Sequence, residues 1–418
     1  MSGARELRRM IDELAQVSEE SGRLTRTFLS PAMERAAALV GGWMREAGME
    51  TREDSVGNLI GLLKSQTPDA RPGTPELRPK TLIVGSHLDT VRNAGRFDGS
   101  VGVLLPIVAL RVLASRGVKL PFNVEVVGFS EEEGVRFASG DIGSEAFCGR
   151  LTEATLALRD SNGVTMREAL ETRNGRPFAP PATAHHRGEL LGYVETHIEQ
   201  GPMLEAAGLA VGVVSAIVGQ SRFQIVWRGK AGHAGTTPMR LRRDALSGAA
   251  EFAIAVERLA RKTRGLVATI GVFDVLGGAS NVIPGEVRHT LDIRHAADDV
   301  RKEAVAKVRA IAAAIAARRS LRCVVKPTQD DRAVSCSPEL TAQLAESVRR
   351  VQGRSIEVPS GAGHDGVTVS RIAPVAMLFV RSRDGLSHHP DEFTSHHDLG
   401  VALRVMIDFL TGLAQRHS

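Results

Sequence analysis

The sequence predicts an α/β protein of two domains, one inserted into the other, and three observations carry this. Short apolar runs alternate with helical stretches in the first part of the chain, at a spacing that fits parallel strands joined by a crossover helix. The middle changes to a strand, helix, strand, strand, helix, strand order, and the first pattern resumes after Gln329. A chain of 418 residues also exceeds what one hydrophobic core ordinarily serves.

Residues 32–48 place Ala37, Leu39, Val40, Trp43 and Met44 at helical spacing and end on Gly48, which predicts a helix and its stop. Residues 66–80 are rich in Pro, Thr and Gly and read as a surface loop. The apolar run 81–85 is too short for a helix, and a helical stretch over 101–114 and a second run over 124–129 follow it. Parallel sheets collect functional groups beyond the carboxyl ends of their strands. Both runs end in chemistry: Ser86-His87-Leu88-Asp89 after the first, Ser130-Glu131-Glu132-Glu133-Gly134 after the second.

In the middle, Phe223, Ile225 and Trp227 alternate with Arg222, Gln224 and Arg228, the pattern of a half-buried strand. A helix over 242–262, strands over 266–275 and 286–294, a helix over 298–318 and a strand over 321–326 complete a ferredoxin-like βαββαβ sandwich. The expected boundaries are 1–212 with 328–418 for the outer domain and 213–327 for the insert. A helix over 339–352, a glycine-rich turn over 360–366, a strand over 374–380, the segment Ser387-His388-His389-Pro390 and an amphipathic helix close the chain.

Composition narrows the function classes. With 43% hydrophobic and 24% charged residues the chain is globular rather than disordered. The net charge of +5 comes from scattered pairs such as Arg8-Arg9 and Arg242-Arg243, which disfavours a nucleic-acid partner. Three cysteines without a CxxC pair offer neither a disulfide framework nor a zinc knuckle, so a reducing cytoplasm is expected. No apolar leader and no run of bilayer length is visible, which points to a soluble, unexported protein with no membrane partner.

Ligand-type side chains then recur in awkward places. His87 follows a buried run, Asp98 lies in Arg96-Phe97-Asp98-Gly99, three glutamates follow the next run, and His197 and His388 sit in later polar segments. Singly, each has a bland explanation: a satisfied structural histidine or a solvated acidic loop. Adjacent carboxylates at the end of a buried strand, however, repel one another unless a cation sits among them. Imidazole with carboxylate suits borderline divalent ions such as zinc, manganese or cobalt. With Asp98 between two ions, a bridging water loses its proton near neutral pH, and a glutamate outside the ligand set can serve as general base. Hydrolysis is the chemistry this predicts.

Other motifs fare worse. Gly361-Ala362-Gly363-His364-Asp365-Gly366 satisfies GxGxxG, but the next strand is trailed by Arg381 and Arg383 and no second nucleotide-binding half is visible. A tight turn lining a pocket fits better. HExxH, GxSxG and the P-loop are absent, and nothing around Cys148 suggests an activated thiol.

The ordered set Ser86-His87-Leu88-Asp89-Thr90, Phe97-Asp98-Gly99, Glu131 to Phe137, Thr196 to Pro202, Gly232 to Met239, Asn281 to Gly285, Leu291 to Arg294, Ser360 to Asp365 and Gly385 to His388 resembles the hydantoinase/carbamoylase branch of the metallopeptidase M20 family. The resemblance runs in order from about Arg26 to Phe409. It implies an aminopeptidase-like catalytic domain with a mixed sheet and an inserted lid and dimerisation domain. Three activities share the branch: allantoate amidohydrolase, N-carbamoyl-L-amino acid hydrolase and β-ureidopropionase. Leu24 to Pro31, Gly42 to Met44, Val213 to Arg222 and Leu378 to Arg383 look most like the allantoate enzymes, ahead of dipeptidases, aminoacylases or a silent binding protein.

The resemblance further implies roles. His87, Asp98, Glu133, His197 and His388 would hold two divalent ions per subunit, with manganese expected and zinc, cobalt or nickel as alternatives, and Asp98 would bridge. His389 stands one residue from His388 as a rival ligand. Glu132 would be the general base and Asp89 would orient His87. His233 would stabilise the oxyanion at the partner subunit's site in a homodimer, while Arg222, Asn281, Arg294, Gly363 and Gln200 would bind substrate. The implied reaction is attack of a metal-bridging hydroxide on a ureido carbonyl of allantoate, giving ureidoglycine, ammonia and carbon dioxide.

Overall fold

The computed structural model describes residues 2–66, 79–181, 185 and 187–417, so most of the loop expected over 66–80 lies outside the described residues. The chain divides into two compact units, one formed by Met1–Ser215 with Cys336–Ser418 and the other by Ala216–Ser335.

The first unit is built on a mixed sheet. Its centre is four parallel strands, in the order Asn123–Phe129, Thr81–His87, Leu190–Ile198 and Val375–Val380. Leu59–Leu63 joins one side and Val211–Ile217 the other, both antiparallel. Parallel central strands need cover on both faces, and Thr81–His87 is accordingly buried at every position. The crossover helix Ser100–Ser115 packs with the helices Ser2–Leu14 and His396–His417 into one apolar core, including Leu104, Val108, Leu403 and Phe409. Local signals set the helix ends. Ser30 caps Pro31–Glu46 by accepting the Met33 N–H, Pro31 occupies the first turn, and Gly48 follows the stop at φ 84°.

The second unit is an antiparallel sheet in the order Phe273–Leu276, Glu286–His295, Gly219–Arg228, Arg322–Asp331. Helices Ala245–Lys262 and Asp298–Arg318 cover it, and the core includes Trp227, Phe252 and Ile293. The fold class, a mixed α/β domain with a βαββαβ insert, agrees with the expectation. Two strands do not: the last, expected over 321–326, continues as Arg322–Asp331 beyond the expected boundary at 327, and another is split. The run 266–275 forms two short strands, Val267–Thr269 and Phe273–Leu276. Thr269 faces Asp292 and Phe273 faces His289, so this side carries one residue more than its partner. The extra residue falls around Gly271 and interrupts the ladder.

Candidate metal centre

The carboxyl ends of the parallel strands bring the expected donors together. His87 is the last residue of Thr81–His87, the glutamates follow Asn123–Phe129, His197 is next to last in Leu190–Ile198, and His388 lies beyond Val375–Val380. Asp98 is on the loop before helix Ser100–Ser115. Gly99 makes that loop possible: it has φ 63°, and a Cβ there would fall 2.4 Å from the His87 ring.

Asp98 is the hub. Its Oδ1 lies 3.0 Å from His197 Nε2 and 3.5 Å from His87 Nε2, while its Oδ2 lies 3.4 Å from His388 Nε2. Glu133 completes the second side, with Oε2 3.6 Å from His388 Nε2. Donor atoms of His87, Glu132 and Glu133 also fall within 4.8 Å of one another. The far nitrogens of the two buried rings are fixed by main-chain carbonyls, His87 Nδ1 by Asp89 O at 3.0 Å and His197 Nδ1 by Ile198 O at 2.9 Å. A neutral imidazole bonded in this way keeps its lone pair on Nε2, the atom aimed at Asp98. This donor set fits divalent cations of the zinc or manganese type.

The tandem histidines separate clearly. His388 takes the left-handed conformation, φ 56°, and turns its ring to Asp98 and Glu133. His389 instead lies near the exposed Asp391 carboxylate, at 3.7 Å. The floor of His87, Asp98 and His197 is buried, and His388 forms the exposed rim.

Electrostatics follow from this crowding. Burial alone would raise the Asp98 carboxyl, but the His197, His388 and His87 rings hold it well below the usual range. Burial pushes Glu132 well up, with His87 opposing, and pushes Glu133 up to about 7. Asp89 serves mainly through two routes: its carbonyl fixes His87, and its carboxylate oxygens accept the main-chain N–H groups of Glu132 and Glu133, each at 3.1 Å. Buried Arg26 braces the same loop by donating Nε–H to Leu88 O at 2.6 Å.

Several neighbours were not anticipated. Glu392 and Ser387 both bond around Asp98. His364 stacks edge-on against His197 at 4.5 Å and pairs with Ser360 Oγ at 2.7 Å; burial keeps this ring well below the usual imidazole range, hence neutral. Glu195 ties strand to turn by accepting from Ser86 Oγ and the Gly366 N–H. Gln200, the expected substrate contact, donates Nε2–H to Asp98 Oδ2 at 2.8 Å. Gly363 is exposed in the 360–366 turn.

The remaining expected residues belong to the second unit and cluster within it. Arg222 and Arg294 both bind Asp292, through Nε–H donation to Oδ2 at 2.9 Å and to Oδ1 at 3.0 Å. His233 and Asn281 are neighbours: Val282 pairs with His233, and the Ala234 N–H donates to Asn281 O at 2.8 Å. The Gly235 N–H donates to His233 Nδ1 at 3.1 Å, so the neutral ring carries its proton on Nε2.

Residues 83–412 match the model of Peptidase family M20/M25/M40. The chain is 40% identical to an N-carbamoyl-L-amino acid amidohydrolase of Geobacillus stearothermophilus, covering 96% of this chain and 97% of that one. It is 38% identical to allantoate deiminase 2 of Glycine max, covering 96% and 88%. A solved amidase of the hydantoinase/carbamoylase family from Burkholderia multivorans superposes with TM-score 0.90 at 32% identity, over 98% of both chains. The chain belongs to the M20/M25/M40 peptidase family, in its hydantoinase/carbamoylase branch, and is a hydrolase acting on C–N bonds.

Proposed function

We propose that the protein hydrolyses a ureido C–N bond of allantoate, releasing ureidoglycine, ammonia and carbon dioxide. The observation that carries the hydrolytic chemistry is the convergence of His87, Asp98, Glu133, His197 and His388, with Glu132 beside them. These five would hold two divalent ions, most simply manganese, with Asp98 shared between them. Such ions supply Lewis acidity and make water acidic near neutral pH.

Glu132 takes the proton of the attacking water and returns it to the leaving nitrogen. Asp89 holds Glu132 and Glu133 in register. The second unit would act as lid and dimerisation domain, with His233 offering its Nε2–H to the carbonyl oxygen at the partner subunit's site. Arg222 and Arg294 would take the substrate carboxylate, with Asn281 and the Gly363 backbone as further polar contacts. Gln200 keeps Oε1 buried and without a hydrogen-bond partner among the described residues, which suits a ureido N–H.

Support for allantoate comes from the resemblance of 24–31, 42–44, 213–222 and 378–383 and from the several allantoate deiminases among the relatives. The second reading is N-carbamoyl-L-amino acid hydrolysis, favoured by the 40% identity to the Geobacillus enzyme. Both substrates pair a carboxylate with ureido chemistry on the α-carbon, allantoate through two ureido groups and an N-carbamoyl-L-amino acid through one. Ammonia release with added manganese, compared among allantoate, N-carbamoyl-L-amino acids and N-carbamoyl-β-alanine, decides between them. Fastest turnover of allantoate is expected; faster turnover of a carbamoyl amino acid overturns the substrate and leaves the chemistry.

A further inference from the structure

We propose that Glu392 is a positioning residue that locks Asp98 into a bridging orientation and ties it to the segment carrying His388. The proposal rests on the metal centre described above and adds to it the element that sets its geometry.

Asp98 lies on a loop, where no sheet ladder fixes its main chain. Glu392, itself buried, supplies what the ladder would. Its Oε1 accepts the N–H of Phe97 at 2.8 Å and that of Asp98 at 3.2 Å. Its other oxygen, Oε2, lies 3.1 Å from Ser387 Oγ, and Ser387 donates to Asp98 Oδ2 at 2.6 Å. Gln200 Nε2 donates to the same Oδ2 at 2.8 Å. The result is a divided carboxylate: Oδ1 faces His197 and His87, and Oδ2 faces His388. A carboxylate shared between two ions needs this division, and hydrogen-bonded partners of ligands are what fix it.

The same contacts hold the strained turn. Ser387 directly precedes His388 at φ 56°, a conformation that a non-glycine residue keeps only where its surroundings enforce it. The Glu392 N–H closes the turn onto His389 O at 3.0 Å. Room for Glu392 is made by Gly95, where a Cβ would fall 2.4 Å from Glu392 Cβ, Cδ and Oε1. One glutamate thus links the main chain of one ligand to the residue beside another.

The test is manganese titration of the full-length, chelator-stripped protein, followed by electron paramagnetic resonance. Wild type at two equivalents should show the spin-coupled spectrum of a manganese pair. Glu392→Ala should bind the second equivalent about 10- to 100-fold more weakly and show the six-line signal of isolated ions. Glu392→Gln, which keeps an oxygen for the two amides, should recover most of the affinity. Ser387→Ala should reproduce the loss with an unchanged melting midpoint of the stripped protein. Wild-type affinity and coupling in Glu392→Ala overturn the proposal, as does a variant that loses only thermal stability. If Glu392→Ala does not fold, Ser387→Ala decides, and a coupled pair retained there overturns it equally. A wild type that binds no manganese pair overturns the metal centre itself.

Discussion

Asp89 holds Glu133 by its main chain: Oδ2 accepts the Glu133 N–H at 3.1 Å, and Oδ1 takes that of Glu132 at the same distance. A single carboxylate thereby sets where the proposed ligand and the proposed base begin. In Asp89→Asn the amide nitrogen faces one of these N–H groups, so a donor meets a donor. Manganese affinity should fall about 10- to 100-fold, the scale for partners that orient ligands. Calorimetric titration of the stripped protein checks it; unchanged affinity and turnover would assign Asp89 to the loop alone.

His388 and His389 should behave oppositely. His388→Ala removes the ring facing Asp98 and Glu133 and should cost about one metal equivalent. His389→Ala, which loses an exposed hydrogen bond from the Asp391 N–H and the nearby carboxylate contact, should keep metal content and activity. Metal analysis of both purified variants separates them, and the reverse pattern would move the ligand by one residue.

The thiols should be inert in the native protein. Burial pushes Cys148, Cys323 and Cys336 each up to about 12, so at pH 8 only about one in ten thousand is thiolate. Cys148 and Cys336 are also closed to solvent. Iodoacetamide at pH 8 should leave activity unchanged and label the three cysteines only after unfolding. Rapid native labelling with loss of activity would reopen a nucleophilic role for sulfur.

Asp292 should contribute stability that acid removes. Burial opposes its ionisation, but hydrogen bonds from Arg294 and Arg222 prevail and hold its carboxyl below the ordinary 3.8. With the folded value below the unfolded one, the contribution is complete above the unfolded value and is lost as pH falls through the folded one. The difference in urea midpoint between wild type and Asp292→Asn should therefore be largest near neutral pH and shrink below about pH 4. A difference that does not vary with pH would show that the carboxylate charge is not what the two arginines bind for stability.

Much of the scaffold was legible because its signals are local. Asp298 and Asp299 open a helix whose bounds, Asp298–Arg318, match the periodicity, and the apolar run at 81 ends in buried His87 as a parallel strand should. The candidate donors stand out as awkward polar residues, His87 and the glutamates after buried runs and Asp98 on the loop between them, while the choice of Glu133 and His388 comes from the family resemblance. What sequence spacing cannot carry is a long-range hydrogen bond. Glu392 stands in Pro390-Asp391-Glu392-Phe393, which reads as a solvated loop, and only folding brings it to the amides of Phe97 and Asp98. The choice between His388 and His389 likewise depends on a backbone angle. The phrases that favour allantoate turn out to include structural contacts: Arg26 braces Leu88, and Arg381 forms a two-pronged pair with Asp398. They support kinship more than they specify the substrate.

The most direct measurement is anomalous diffraction at the manganese edge from crystals of the manganese-loaded protein. Two peaks should appear, one flanked by His87 and His197, the other by Glu133 and His388, with Asp98 between them and the Glu132 carboxylate outside both coordination spheres. A single peak, peaks remote from Asp98, or Glu132 bound as a ligand would contradict the account.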